Sequence, residues 1–399
     1  MNHEYYMDRA LELASRALGL TSPNPAVGAV LVADGRIVGA GYHERAGAPH
    51  AEAVAIREAG SAARDAVLYC TLEPCCHRTP EKRTPPCTDA IIAAGVRRVV
   101  IATADPNPHV SGRGIAVLRA AGVEVVVGVR HAEATRMNEP FFRFIRSGVP
   151  FVHLKTAQSI DGCVATSAGE SKWITPPAAR REVHALRARY DAVLVGAGTV
   201  RADNPSLTVR DAPGSNPVRV VLTSACDVPA DAAVFDRAAP TIVFTGDGTA
   251  RSAITALENV GATVIPVRRN ASGAGTAAHL DPHAVLVALA AHGVTSVLIE
   301  GGPGVATSFL AADAVDRVTV YVAPRLFGGG RRAFGDLGRS TLDDARAYEA
   351  EWRSLDGCGV ATWLIDPARI LGDPGPAAMP SAIASACTAA RPTVLQEVR

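Results

Sequence analysis

The chain has 399 residues, a formal net charge of +1, 48% hydrophobic residues and only 5% aromatic residues. Its length suits two or three domains, while the near-neutral balance and sparse aromatics argue against a basic, base-stacking surface for nucleic acid or an attraction to anionic membranes. The polar, acidic start lacks a signal-peptide layout and no apolar run reaches bilayer length, so a soluble cytoplasmic protein is expected, in which the eight cysteines remain thiols.

Met7, Ala10, Leu11, Ala14 and Leu18 fall at helical spacing and predict a helix over 5–18. Apolar runs at 27–32 and 37–42 flank Asp34-Gly35 and predict a hairpin. A helix over 51–59 ends at Gly60. Strands over 67–72, 99–103 and 123–129 then alternate with helices over 89–94 and 115–121, which Gly95 and Gly122 close. This is an α/β layer with one hairpin and several crossovers. Near Gly148-Val149-Pro150 the pattern restarts, which sets expected domains at 1–147 and 148–366. The second predicts strands over 151–154, 192–195, 218–222, 241–244, 296–300 and 318–322, with helices near 177–189 and 283–292. Residues 367–399, rich in Ala, Pro and Ser without periodicity, are expected to be a flexible tail.

The first domain carries H-A-E at His50 to Glu52, then T-L-E-P-C ending at Cys75 and R-T-P-P-C ending at Cys87. Zinc takes nitrogen and sulfur ligands in a tetrahedron, and a catalytic site keeps one position open for water. His50 opens a predicted helix, Cys75 follows a predicted strand, and Cys87 precedes a helix start whose dipole favours a thiolate. Glu52 lies about 200° around a regular helix from His50 and so does not share a ligand's direction. In the first turn it still reaches the water beside the metal, the place of a proton shuttle. H-x-E followed by P-C is the signature of zinc deaminases, in which an activated water attacks an amine-bearing ring carbon. The competing readings are a closed structural site, with Cys76 or His77 as fourth ligand, and unrelated buried thiols. Cys76 is adjacent to Cys75 and points the other way in an extended segment, so it is not expected to bind. Glu52 has no use in a purely structural site, which argues against a zinc-stabilised binding protein.

Further motifs carry a resemblance. P-N-P-A-V-G at Pro23 to Gly28, G-Y-H, H-A-E, T-L-E-P-C, R-T-P-P-C and D-P-N-P at Asp105 to Pro108 stand in order in the first half. S-I-D-G at Ser159, G-E-S-K-W-I-T at Gly169, A-D-N-P-S-L-T-V-R at Ala202, E-G-G-P at Glu300 and A-P-R-L-F-G-G at Ala323 follow in the second. Over about residues 1–366 the chain resembles the bifunctional riboflavin-biosynthesis deaminase/reductase family. The resemblance implies a cytidine-deaminase-like three-layer α/β domain followed by a dihydrofolate-reductase-like one. It implies zinc-dependent deamination of a pyrimidine ribosyl phosphate, then NADPH-dependent reduction of ribosyl to ribityl, in a protein that assembles with itself. By the same resemblance His50, Cys75 and Cys87 are zinc ligands, Glu52 is the shuttle, and Asn24, His43, His77 and Arg83 contact the deaminase substrate. Asn24 offers both a donor and an acceptor to a pyrimidine edge, and Arg83 can grip phosphate bidentately. The stretch from Arg78 to Lys82 is longer than the family's, which leaves Lys82 as the alternative to Arg83, and a solvated loop charge as the alternative to both.

The second half has no standard dinucleotide fingerprint. Its glycine-rich turn, Gly301 to Ser308, joins a predicted strand to a helix, where free amides can bind a pyrophosphate. Alone, such a turn is as readily a tight connection. The resemblance makes Gly302, Pro303, Gly304, Val305, Ala306, Thr307 and Ser308 part of an NADPH site, joined by Ala157, Trp173, Thr199, Asp203 and Ser224. It places Ser171, Arg187, Leu207, Arg210 and Glu300 at the reductase substrate. Glu300 ends a predicted strand, where open α/β sheets bind ligands. Arg187 is otherwise a helix-surface charge, and Trp173 otherwise core. Reduction also needs a proton for the opened sugar oxygen, for which Lys155, Asp161 and Glu300 are all open choices.

Overall fold

A computed structural model of the chain describes residues 2–78, 85–270 and 279–371. Two compact units divide between Gly148 and Val149. The first runs α1 (His3–Ser15), β1 (Gly28–Ala33), β2 (Arg36–Tyr42), α2 (Ala51–Ala59), β3 (Val67–Cys70), α3 (Cys87–Ala93), β4 (Arg98–Ile101), α4 (Arg113–Ala120), β5 (Glu124–Val127), α5 (His131–Met137) and α6 (Glu139–Ser147). Its strands form one sheet in the order β2-β1-β3-β4-β5. The β1–β2 hairpin and the β1–β3 pair are antiparallel, and the rest are parallel.

The inner strands β1, β3 and β4 read as near-unbroken apolar runs because both faces of the sheet are covered there. Ala29, Leu31, Leu68, Cys70, Val99 and Ile101 face one core, shared with Ala51 and Ala55 of α2 and Ile91 of α3. Val30, Val32, Val67, Tyr69 and Val100 alternate to the other, against Met7, Ala10 and Leu11 of α1. This is the three-layer arrangement expected. The first helix starts earlier than its apolar spacing predicts because the Asn2 side chain caps it, accepting from Tyr5 N at 3.2 Å.

The second unit runs β6 (Phe151–Ser159), β7 (Cys163–Ala165), α7 (Pro177–Arg187), β8 (Ala192–Gly196), α8 (Ala197–Asp203), β9 (Val218–Leu222), β10 (Thr241–Gly246), α9 (Arg251–Glu258), β11 (Thr263–Val267), α10 (Pro282–Ala291), β12 (Ser296–Ile299), α11 (Pro303–Ala311), β13 (Arg317–Ala323), β14 (Arg331–Arg332), β15 (Glu351–Leu355) and β16 (Cys358–Leu364). Nine strands form its main sheet, in the order β11-β10-β9-β8-β12-β6-β13-β16-β15, and β14 pairs with β7 apart from it. The strands from β11 to β13 run parallel; β16 and β15 close the sheet antiparallel. Again alternate residues serve two cores: Ala192 and Leu194 of β8 face one, Val193 and Val195 the other.

The six strands expected in this unit are all present. Sequence patterning passed over the small β7–β14 pair and three strands of the main sheet, β11, β15 and β16, which lie at or next to that sheet's two edges. Pro266 interrupts β11, as edge strands tolerate, and four of the five β15 residues are exposed, so it carries no apolar run. Beyond 366 the expected tail begins with a short helix, α12 (Ala368–Leu371); residues 372–399 lie outside the described residues.

Candidate active sites

In the first unit His50 caps α2, Cys87 is the first residue of α3, and Cys75 lies on the segment leaving β3. Parallel pairing of β3 and β4 carries that segment past the start of α3, where Thr88 N donates to Cys75 O at 3.2 Å. His50 Nδ1 stands 3.2 Å from Cys87 Sγ and 3.5 Å from Cys75 Sγ. Cys87 N points at Cys75 Sγ from 3.3 Å, a donor that favours a thiolate there. The three ligand atoms lie within 4.8 Å of one another, and among the described residues no other trio of His, Cys, Asp or Glu does so. One imidazole and two sulfurs, with neither Cys76 nor His77 joining, fit zinc with a position left open. Cys76 instead directs its thiol to His109 O at 3.9 Å.

Glu52 is in the first turn of α2 and only 3% exposed. Burial lifts its carboxyl above the ordinary range, against the pull of His50 and a hydrogen bond to Cys87. The influence of His50, Cys75 and Cys87 on its pKa puts the carboxyl in the neighbourhood of the ligand trio. His43 packs edge-on to His50 with ring centroids 5.4 Å apart. Its Nδ1 faces Pro49 O at 3.2 Å, and its Nε2 lies 3.4 Å from Asn24 Nδ2. With Nδ1 protonated toward the carbonyl, Nε2 accepts from the amide. Burial, opposed by Pro49 and aided by His50, lowers its pKa and keeps the ring neutral. His77 follows the ligand loop; Arg83 and Lys82 lie outside the described residues.

Two further residues hold this site together and had no local signal. The buried Asn138, between α5 and α6, takes both backbone groups of Ala26: Ala26 N donates to Oδ1 at 2.8 Å, and Nδ2 donates to Ala26 O at 2.9 Å. It thereby fixes the loop that carries Asn24. The buried Glu73 carboxylate accepts three amides: Asp105 at 3.3 Å, Gly112 at 3.0 Å and Ile115 at 3.1 Å. It bolts the Pro74-Cys75 segment to the 105–115 stretch. Gly114 permits the contact, since a Cβ there would stand 2.2 Å from Pro74 O. Beside them Asp105 is buried, which pushes its carboxyl up to about 7 against the pull of Asn107 N, with Glu73 and Cys75 adding to the rise.

In the second unit Glu300 leaves the end of β12 and meets Arg187 from α7 in a two-pronged pair, Nε to Oε1 at 2.6 Å and Nη2 to Oε2 at 3.0 Å. Arg187 Nη1 also donates to Thr208 O at 3.0 Å. Arg187 is therefore a buried partner, not a helix-surface charge. Burial raises the Glu300 pKa but Arg187 outweighs it, so the carboxylate is held below its ordinary value. Lys155 on β6 is pulled down by burial and by Arg187, and held up by Glu300; its Nζ lies 5.7 Å from the Tyr321 ring centroid. Asp161 is different. Its carboxylate accepts from Ser159 Oγ at 2.6 Å, Gly328 N at 2.8 Å and Phe327 N at 3.2 Å, which hold it down at about 2. It ties two loops together and carries no proton near neutrality.

Ser171 Oγ reaches Asp203 at 3.4 Å, and Lys172 Nζ reaches Asp203 O at 3.2 Å. Trp173 is 60% exposed, with the Arg180 guanidinium 4.6 Å above its ring, so it is not core. Leu207 is buried at a φ of 55°. Arg210 N donates to His184 Nδ1 at 3.3 Å, and its guanidinium bonds Ser206. Ala157, on β6, packs with Ala179 and Val183.

The glycine-rich turn follows β12 as expected. Gly302 caps α11 and donates its N–H to Thr199 Oγ1 at 3.1 Å. A Cβ on Gly301 would stand 2.8 Å from Val305 Cβ, so glycine lets the turn close onto its own helix. Val305 and Ala306 turn their side chains inward to the core. Thr307 Oγ1 bonds Pro303 O at 2.6 Å, and Ser308 Oγ bonds Val305 O at 3.0 Å. Thr307 Oγ1 also accepts from Gly335 N at 2.8 Å, so these hydroxyls are engaged within the protein, and what the turn presents is the Thr199 hydroxyl and the first free amides of α11. That donor set fits a pyrophosphate.

Comparison with known proteins agrees in both halves. Residues 1–103 match the family described as the cytidine and deoxycytidylate deaminase zinc-binding region, and residues 150–356 match the RibD C-terminal domain. The chain is 45% identical over 342 residues to riboflavin biosynthesis protein RibD of Aquifex aeolicus (strain VF5), covering 85% of this chain and 92% of that one. It is 42% identical over 363 residues to RibD of Escherichia coli (strain K12), covering 88% and 95%. The solved structure of a diaminohydroxyphosphoribosylaminopyrimidine deaminase/5-amino-6-(5-phosphoribosylamino)uracil reductase from Thermotoga maritima is similar with a TM-score of 0.78 at 37% identity, covering 91% of this chain and 98% of that one.

Proposed function

The chain belongs to the RibD family of riboflavin-biosynthesis deaminase/reductases, and on that premise we propose how its residues divide the work. The enzyme hydrolyses the 2-amino group of 2,5-diamino-6-(5-phosphoribosylamino)pyrimidin-4(3H)-one to give 5-amino-6-(5-phosphoribosylamino)uracil and ammonia. It then reduces the ribosyl group with NADPH to give 5-amino-6-(5-phosphoribitylamino)uracil. Residues 1–147 carry the first reaction and 148–366 the second.

His50, Cys75 and Cys87 would hold zinc, which when bound would make a water acidic enough to act as nucleophile near neutral pH. Glu52 takes a proton at its carboxylate and returns it to the departing amino nitrogen. The observation that carries this reading is the one such trio of ligand atoms among the described residues, within 4.8 Å of one another, with the buried Glu52 in the first turn of the helix that His50 caps. Asn24 and His43, bonded to each other, present a fixed amide to the pyrimidine edge. Arg83 or Lys82 takes the phosphate, and His77 lines the same substrate.

The Gly302 to Ser308 turn, with Ala157, Trp173, Thr199, Asp203 and Ser224, would hold NADPH, which when bound would supply the hydride. Lys155 gives a proton from Nζ to the sugar oxygen as the ring opens. Its support is electrostatic: Glu300 and Arg187 both act on its charge, whereas Asp161 is bound into its loops. Glu300 orients that ammonium, Arg187 holds Glu300, and Arg210 offers its guanidinium to the sugar phosphate. Ser171 and Leu207 complete the substrate contacts.

The enzyme is a cytoplasmic homo-oligomer acting on a small phosphorylated pyrimidine, not on nucleic acid. Its +1 net charge supports the last point, and the seven cysteines among the described residues, all free thiols, support the first. The outermost strand β15, with Trp352 71% exposed, supports assembly. Among the described residues no helix is long and apolar enough to cross a membrane.

The test supplies the diaminopyrimidinone phosphate, with and without NADPH, to the wild type and to Glu52→Ala. Ammonia release independent of NADPH, followed by NADPH oxidation, is expected of the wild type. The variant should release none, yet oxidise NADPH when fed the deaminated intermediate. Normal ammonia release by the variant removes the shuttle role, and loss of both reactions removes the division into two sites.

A further inference from the structure

The cofactor positions discussed so far end at Ser224, just beyond β9. This inference follows the same edge outward and rests on reading the second unit as an NADPH-dependent reductase. Four arginines lie near the carboxyl ends of β8 to β11: Arg201 on α8, Arg251 on α9, and Arg268 and Arg269 after β11. Three have a carboxylate partner. Arg201 pairs with Asp227 at 2.7 Å, Arg251 with Glu258 at 2.8 Å, and Arg268 with Asp281. Among the described residues Arg269 has none.

Arg269 is nevertheless fixed in place. Its Nη2 donates to Ser224 O at 2.7 Å. Its guanidinium lies over Gly246, where a Cβ would stand 2.2 Å from Nε and 2.7 Å from Cζ. Any side chain at 246 would push it away. Thr249 Oγ1 also points at Ser224 O, from 3.4 Å, and bonds Thr245 Oγ1 at 2.7 Å. The result is an anchored, exposed cation among hydroxyls, without a counter-charge among the described residues.

The sheet order says what meets it. The pyrophosphate turn follows β12, and Glu300 and Lys155 place the reacting sugar on β12 and its neighbour β6. A dinucleotide whose pyrophosphate sits on that turn and whose nicotinamide reaches the sugar must lay its adenosine half the other way, across β8 toward β9 and β10. Neighbouring strands lie about 4.8 Å apart, which puts the β9 and β10 ends roughly 10–14 Å from β12. We infer that Arg269, held over Gly246 beside Ser224 and Thr249, receives the 2′-phosphate of the adenosine ribose and makes the site select NADPH over NADH. The planar guanidinium suits a phosphate oxyanion, and NADH offers only a hydroxyl there.

Binding of NADPH and of NADH to the full-length, zinc-loaded enzyme is measured by titration calorimetry. The wild type should hold NADPH about 10- to 100-fold more tightly than NADH, the range of one charge-assisted contact. Arg269→Ala should remove most of that difference by weakening NADPH alone, and Arg269→Lys should restore part of it. Gly246→Ala, which displaces the guanidinium, should mimic Arg269→Ala. Unchanged NADPH affinity in Arg269→Ala overturns the inference while leaving the reductase reading intact, and so does equal weakening of both cofactors. A wild type that binds neither overturns the reductase reading together with it.

Discussion

His153 offers a sharp test of how burial sets charge in the reductase unit. It lies on β6, 3% exposed, with Nδ1 2.7 Å from the Tyr190 hydroxyl and Nε2 2.8 Å from Thr319 Oγ1. Burial first, and the charge of Arg317 second, drive its pKa down to about 3. An unfolded histidine titrates at about 6.5. Below that pH the unfolded chain takes up a proton that the folded one refuses, so the stability from a neutral His153 is complete above about 6.5 and drains away as pH falls toward about 3. One pH unit into that window, near pH 5.5, the loss is about 1.4 kcal/mol. All three tryptophans, Trp173, Trp352 and Trp363, belong to the second unit, so fluorescence-detected urea unfolding follows this unit alone. Unfolding is compared near pH 7.5 and 5.5 for the wild type and for His153→Gln, which keeps polar partners for both hydroxyls but cannot titrate. The variant is less stable throughout, yet its loss on acidification should be smaller by about 1.4 kcal/mol. His184, whose pKa burial also lowers, is common to both proteins and cancels. Equal losses in the two proteins would mean that His153 does not carry the pH dependence, and the argument from burial would fail.

What the sequence displayed in advance follows from how local each signal is. His50 and Cys87 stand at helix starts and Cys75 just beyond a strand, so apolar periodicity alone located the ends of the elements that gather them. Glu73 and Asn138 gave no such sign. Their partners are backbone groups 32 to 42 and 112 residues away, and nothing in T-L-E-P-C shows that its carboxylate is taken by the amides of another loop. Arg187 and Arg189 look alike in H-A-L-R-A-R; Glu300, 113 residues on, decides which one is buried. At the glycine-rich turn the motif does not show what the hydroxyls do: Thr307 and Ser308 bond back to the preceding turn, and Thr307 also accepts from Gly335 N, 28 residues on. The edge strands β11 and β15 escaped notice because burial writes the apolar pattern and edges are only partly buried.

Three more outcomes are expected. Cys87→Ser should lose zinc and deamination while Cys76→Ser keeps both; equal zinc loss, read by atomic absorption, would sink the ligand assignment. Lys155→Met should release ammonia normally but reduce the deaminated intermediate about 10²- to 10⁴-fold more slowly in single turnovers, and an unchanged rate would exclude Lys155 as the proton donor. The third concerns Glu73. Its Oε1 takes the amide of Ile115 at 3.1 Å while Oε2 takes those of Gly112 at 3.0 Å and Asp105 at 3.3 Å. Glutamine has one carbonyl oxygen, so in Glu73→Gln at least one N–H must face an NH₂, at a cost of about 1–3 kcal/mol. The strain falls on Pro74 and Cys75, next along the chain, and should weaken zinc binding about 10- to 100-fold, as disturbing a ligand's support does. Gly114→Ala pushes on the same segment from the other side, through Pro74 O. If the Cys75 loop depends on this bolt, both variants release zinc faster to a chromogenic chelator while reduction of the fed intermediate stays normal. Wild-type release rates in both would show that the cysteine holds its place without it.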